Sequence, residues 1–127
     1  MIAVDTSVWV AVLRSETGTA AGTLKSLLDA DEVVLPLPVR MELLSGVGAT
    51  GRARLRRALS ALPVVVPSEQ TWQIVERWSL SAADAGQHFG MADMVIGALA
   101  DEAGALVWSF DTDFDRLAGL GLVRLYG

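Results

Sequence analysis

Met1-Ile2-Ala3-Val4-Asp5-Thr6-Ser7 sets an apolar run against an acid and two hydroxyls. The run reads as a short buried strand, Met1 to Asp5, that runs out at the acid. Thr6-Ser7 then offers an N-cap for a helix over Val8 to Leu13, because a side-chain oxygen there satisfies a free helix N–H. A strand that feeds directly into a helix is half of a βαβ unit, and the remaining chain repeats that grammar.

Outward from this stretch, Thr17 to Ala30 reads as a helix with Leu24, Leu27 and Leu28 on one side. Glu32 to Leu35 is a second strand. Pro38 suits the first turn of a helix over Val39 to Val47. Gly51 to Leu62 is a basic helix, and Val64 to Val66 a strand between two prolines. Ser68 caps a helix to Ala83, with Trp72, Val75 and Trp78 as its expected buried stripe. Met91 to Ala103 is a nearly all-apolar helix with one acid, Asp93, in its first turn. Ala105 to Trp108 is a strand, Thr112 to Ala118 a helix, and Leu122 to Leu125 a final strand.

The strands are continuous apolar runs without alternation. That pattern belongs to a parallel sheet covered by helices on both faces. The expected fold is therefore a doubly wound α/β sandwich of three layers, formed by residues 1–127 as one domain. Such sheets bind ligands outside the carboxyl ends of their strands.

Composition narrows the function. The 127 residues are 52% hydrophobic, with net charge −5, one His and no Cys. Disulfides and thiolate metal sites are excluded. Grip on nucleic acid by bulk positive potential is disfavoured. With no basic leader and no apolar run of the roughly 18–20 residues that span a bilayer, a cytoplasmic protein is expected.

Asp5 and Asp111 fall just past the ends of the first and fourth strands. Asp93 heads the apolar helix, and Glu42 lies in the helix after the second strand. Each has a plain reading: Asp5 and Asp111 as helix caps, Asp93 as an acid favoured by a helix dipole, Glu42 as a surface ion-pair partner. Asp5 and Asp93 are embedded in apolar sequence, however, and an unpartnered buried carboxylate is costly. With Lys25 the only lysine and the arginines remote in sequence, a divalent cation is the natural counter-charge. An all-oxygen donor set selects Mg²⁺ or Mn²⁺. Such an ion suits phosphate chemistry with an activated water.

Val4-Asp5-Thr6-Ser7, Arg40-Met41-Glu42-Leu43, Met91-Ala92-Asp93-Met94-Val95-Ile96-Gly97-Ala98 and Trp108-Ser109-Phe110-Asp111-Thr112-Asp113-Phe114, in that order, resemble the acidic motifs of PIN-domain nucleases. By size, the chain resembles the VapC toxins of bacterial toxin–antitoxin pairs. The resemblance implies metal-dependent endoribonuclease activity on transfer or ribosomal RNA. It implies metal-ligating acids at Asp5, Asp93, Glu42 and Asp111, Ser109 beside the pocket, a homodimer, and a VapB-type antitoxin. Asp113 and Asp115 read as helix-start charges that could serve as auxiliary acids.

Arg52, Arg54, Arg56 and Arg57 form the basic run, with Arg52 and Arg56 one turn apart. They read as a phosphate-gripping edge or as a solvated helix face. His88 has no required role beside a metal-activated water. The tryptophans read as packing residues, with Trp9 the one best placed to stack a base. Two other functions fit parts of the pattern: a PIN nuclease of RNA processing without an antitoxin, and a non-catalytic doubly wound binding module. A phosphoacceptor module would want a late Lys and an Asp ending its third strand, where this chain has Pro67.

Overall fold

The computed structural model describes residues 1–15 and 18–127. Among them strand and helix alternate as β1 (Ile2–Val4), α1 (Thr6–Arg14), α2 (Thr19–Asp29), β2 (Val33–Pro36), α3 (Leu37–Gly46), α4 (Ala49–Ser60), β3 (Val64–Val65), α5 (Glu69–Asp84), α6 (Met91–Glu102), β4 (Leu106–Trp108) and α7 (Thr112–Gly119). The start expected for α2, Thr17, lies outside the described residues.

The strands form one parallel sheet in the order β3-β2-β1-β4. From β1 the chain steps outward through β2 to β3. It then returns to lay β4 on the other side of β1. Strand order therefore reverses between β1 and β4, and the crevice at their carboxyl ends is the expected ligand site. Helices flank the sheet, as the continuous apolar strands imply.

The core explains why the site sits where it does. All of β1 and β2 is buried. Helix α6 is buried all round from Met94 to Ala100, packed on β1 and β2 and against α3, α5 and α7. Gly97 is part of this packing. A Cβ there would sit 3.0 Å from Val123 Cγ1 and 3.1 Å from the Trp78 ring. Close packing of α6 fixes the position of its first turn, and with it Asp93. No helix among the described residues is long and apolar enough to cross a membrane.

Three expectations are corrected. Helix α1 starts at Thr6 with Asp5 as its N-cap, so Thr6-Ser7 are helical residues; the Asp5 carboxylate accepts the Ser7 N–H and outcompetes them as cap. The buried stripe of α5 is Thr71, Ile74, Val75, Trp78 and Ala82, while Trp72 is exposed. Leu122 to Leu125 does not form a strand but a single bridge, Val107 to Leu125. The ladder goes no further toward Leu122 because backbone groups on both sides are engaged elsewhere. The Ala105 N–H donates to Ala100 O, and the Leu122 N–H to Leu117 O at the end of α7.

Candidate metal and active site

Asp5 is held at the end of β1 by three donors on one oxygen. Its Oδ2 accepts from Ser7 Oγ at 2.7 Å, Ser109 Oγ at 2.7 Å and the Ser7 N–H at 3.3 Å. The Asp5 N–H itself donates to Trp108 O at 2.9 Å, stitching the two central strand ends together. The residue is 5% exposed. Among the described residues the three donors all meet Oδ2, which leaves Oδ1 for another partner.

Across the crevice, the first turns of α6 and α7 meet. Asp111 caps α7, its Oδ1 accepting the Asp113 N–H at 2.9 Å. Asp93, Asp111 and Asp113 each offer an oxygen within 4.8 Å of the other two, the one such group of acids among the described residues. Asp93 feels the cost. Burial pushes its carboxyl up from 3.8 to about 6, assisted by the charges of Asp111, Asp5 and Asp113 and by a hydrogen bond with Asp113. Two helix N-termini bring partial positive charge to the same place, which favours acids there without neutralising three of them.

The four acids expected to form the site are therefore placed unevenly. Asp93 and Asp111 converge, and Asp113 joins them. Asp5 stands beside the group, near enough for its charge to act on Asp93. Glu42 is outside it, exposed on α3, where its Oε1 accepts from Thr6 Oγ1 at 3.0 Å. Asp115 is exposed and outside the cluster. Ser109 lies where expected: its hydroxyl donates to Asp5 and accepts the Asp111 N–H at 2.9 Å. Ser7, which the sequence marks only as a cap, orients Asp5. The signal for that role is its spacing: in Asp-x-Ser a hydroxyl two residues on reaches back to the carboxylate.

Arg116 is paired with one of the grouped acids. Its Nη1 donates to Asp113 at 2.9 Å, and its guanidinium lies 4.4 Å from the centre of the Phe89 ring. His88 contributes a backbone carbonyl to Arg116 and is not among the grouped acids. Arg52, Arg54, Arg56 and Arg57 are all exposed on α4. Trp9 is buried, which removes it as a stacking surface, and Trp72 is the exposed tryptophan.

The donor set suits a hard divalent cation. Carboxylate oxygens within 4.8 Å of one another lie slightly wider than one ion with bonds of about 2.1 Å would bridge, a gap that small side-chain rotations close. The raised Asp93 registers the same want of positive charge.

The molecule is thus a parallel α/β domain with carboxylates grouped at its switch point. The PIN domain family matches residues 2–120, and the chain belongs to that family. Ribonuclease VapC18 of Mycobacterium tuberculosis is 30% identical over 92% of this chain and 87% of its own length. Ribonuclease VapC11 of the same species is 32% identical over 93% of this chain and 92% of its own. Among solved structures, VapBC2 from Rickettsia felis, bound to a DNA fragment from their promoter, superposes with a TM-score of 0.81. That match covers 99% of this chain and 98% of the other at 18% identity, a likeness of fold.

Proposed function

We propose that the chain is a Mg²⁺- or Mn²⁺-dependent endoribonuclease, the toxin of a type II toxin–antitoxin pair, acting in the cytoplasm as a homodimer. The observation that carries the reading is the convergence of Asp93, Asp111 and Asp113 beside a fixed Asp5 at the switch point of the sheet. Membership in the PIN domain family and the likeness to two VapC ribonucleases support it. A VapB-type antitoxin is the partner this reading requires.

Asp93, Asp111 and Asp113, with the free oxygen of Asp5, would hold the cation, and Glu42 would act from the rim. A divalent ion there supplies Lewis-acid polarisation of a phosphate oxygen and makes a coordinated water more acidic. The chain's own residues do the rest. Ser7 and Ser109 fix the orientation of the Asp5 carboxylate. Asp93, with its carboxyl raised to about 6, gives up its proton more readily to a cation than to water alone. Arg52 and Arg56 offer the RNA backbone a basic edge.

Expression in a bacterial host with and without the neighbouring small gene product tests the biological part. Growth should stop when the chain is expressed alone and resume when the small product is supplied. In vitro, Mn²⁺ should support cleavage of single-stranded RNA by the wild type, and chelation or Asp93→Asn should abolish it. Cleavage that survives both treatments would refute the reading.

A further inference from the structure

Phe110 lies between two site residues, Ser109 and Asp111, yet the residue is 54% exposed. A ring in water contributes little to folding, and a surface Phe is ordinarily mobile. This one is anchored. Its N–H donates to Ser7 Oγ at 3.0 Å, the hydroxyl that also donates to Asp5. Its ring meets Trp108 edge-on, with centroids 6.1 Å apart and planes at 84°, and Trp108 in turn leans on Tyr126 at 5.5 Å. The network that sets the direction of Asp5 therefore also sets the position of an open aromatic face. Met91, 62% exposed at the head of α6, is a second apolar side chain on the helix that carries Asp93.

We propose that Phe110 is the stacking platform for a base of the RNA flanking the cleaved phosphodiester; this rests on the endoribonuclease reading above. The electrostatics of the site favour such a contact. The chain is net negative, and the one cation that the grouped carboxylates would hold offers its charge to the reacting phosphate alone. For the flanking nucleotide, a part that carries no charge offers binding energy that the net negative chain does not oppose. Every base has a π-face, so stacking on an aromatic side chain supplies it with little dependence on sequence. With its backbone held by Ser7 and its ring against Trp108 before binding, Phe110 has less conformational freedom to lose when a base settles on it. Phe110 is thus a positioning residue: it registers one base so that the neighbouring phosphate falls at the acids.

The test uses a fluorescently labelled single-stranded oligoribonucleotide pool, Mn²⁺, and the wild type beside Phe110→Ala, Phe110→Leu and Phe110→Trp, each checked for an unchanged melting temperature. Phe110→Ala should raise KM about tenfold, a typical loss for one stacked base, with kcat nearly unchanged. Phe110→Trp should restore KM, and Phe110→Leu, which has the bulk without the π-face, should not. Equal rescue by Leu, or an unchanged KM in Phe110→Ala, overturns the inference while leaving the ribonuclease reading intact. Unchanged KM together with weakened binding of an antitoxin peptide would assign the ring to a protein contact and likewise overturn it. A wild type that cleaves none of the pool, and is indistinguishable from Asp93→Asn, would overturn both.

Discussion

The two walls of the crevice are built on opposite terms. On one side, the first turns of α6 and α7 are pressed together by a helix buried all round, and three carboxylates come with them. On the other, α3 carries Glu42 into solvent, held by a single hydroxyl, and α4, packed on α3, exposes the arginines beyond it. The first wall groups its charge, with Asp93 and Asp113 half-buried and Asp111 exposed, so its acids act on one another at close range and Asp93 bears the cost. The second keeps its charges hydrated and screened, so each is cheap and weak. On the proposed reading, chemistry would fall to the first wall and capture of substrate to the second.

The largest effect should therefore follow a change to the carboxylate wall. Asp93→Asn should lower RNA cleavage by more than about 100-fold, beyond the usual cost of losing a residue that only supports a metal ligand. The same substitution should raise the melting temperature of the metal-free protein by about 2–5 °C, because it removes one of several mutually repelling carboxylates. Activity falling while stability rises would mark a site kept under strain for function. A fall in both would instead indicate damage to the fold, and the contrast between the walls would lose its basis.

Next in size is the support of Asp5. Ser109→Ala removes one of the three donors on its Oδ2 and also the acceptor for the Asp111 N–H. Mn²⁺ affinity measured calorimetrically should fall about tenfold, the low end for residues that hold a ligand in place. The equivalent removal of Thr6 Oγ1 from Glu42, by Thr6→Val, should change it far less. Equal effects from the two would erase the distinction between a fixed acid and a rim acid.

The proton held by Asp93 gives the third comparison. A carboxyl raised from 3.8 to about 6 binds its proton more tightly in the folded chain than in the unfolded one. Its contribution to metal-free stability is thus present below the ordinary value and lost as pH rises through about 6. Cation binding runs the other way, since the ion must displace that proton. Affinity for Mn²⁺ should decline about tenfold per pH unit once pH falls below the folded value, if one proton is released. Calorimetry at about pH 5, 6 and 7.5 reads this directly, and a flat profile would remove Asp93 from the ligand set.

Much of this layout is legible in the sequence, for reasons that can be named. Strands such as Val33–Pro36 are short apolar runs because both faces of a parallel sheet are covered. The acids at strand ends follow from the topology. What misleads are patterns that several structures satisfy. Leu122 to Leu125 has strand composition, but pairing needs a free partner edge, which composition does not report. Trp72 and Trp78 are six residues apart, which at 3.6 residues per turn puts them about 120° apart around α5, on different faces; Thr71, Ile74 and Val75 share the buried face with Trp78. Asp113 has the composition of any helix start, and only the meeting of α6 with α7 puts it beside Asp93. The motif around Glu42 follows a strand and so suggests convergence, yet exposed helical side chains are not pinned by core packing.

The smallest expected effect belongs to the solvated wall. Arg52→Glu with Arg56→Glu reverses two exposed charges on α4 without touching the buried core. If these arginines meet phosphates, the double variant should bind RNA a few-fold more weakly at low salt. The slope of log affinity against log salt should flatten by about 0.7 for each phosphate that an arginine no longer neutralises on a single strand. kcat should stay as it is in the wild type, because the carboxylate wall is untouched. A reversal that leaves the salt slope unchanged would make α4 an ordinary hydrated helix. The crevice would then have one working wall, and the net negative chain would need its substrate held by interactions that do not depend on charge.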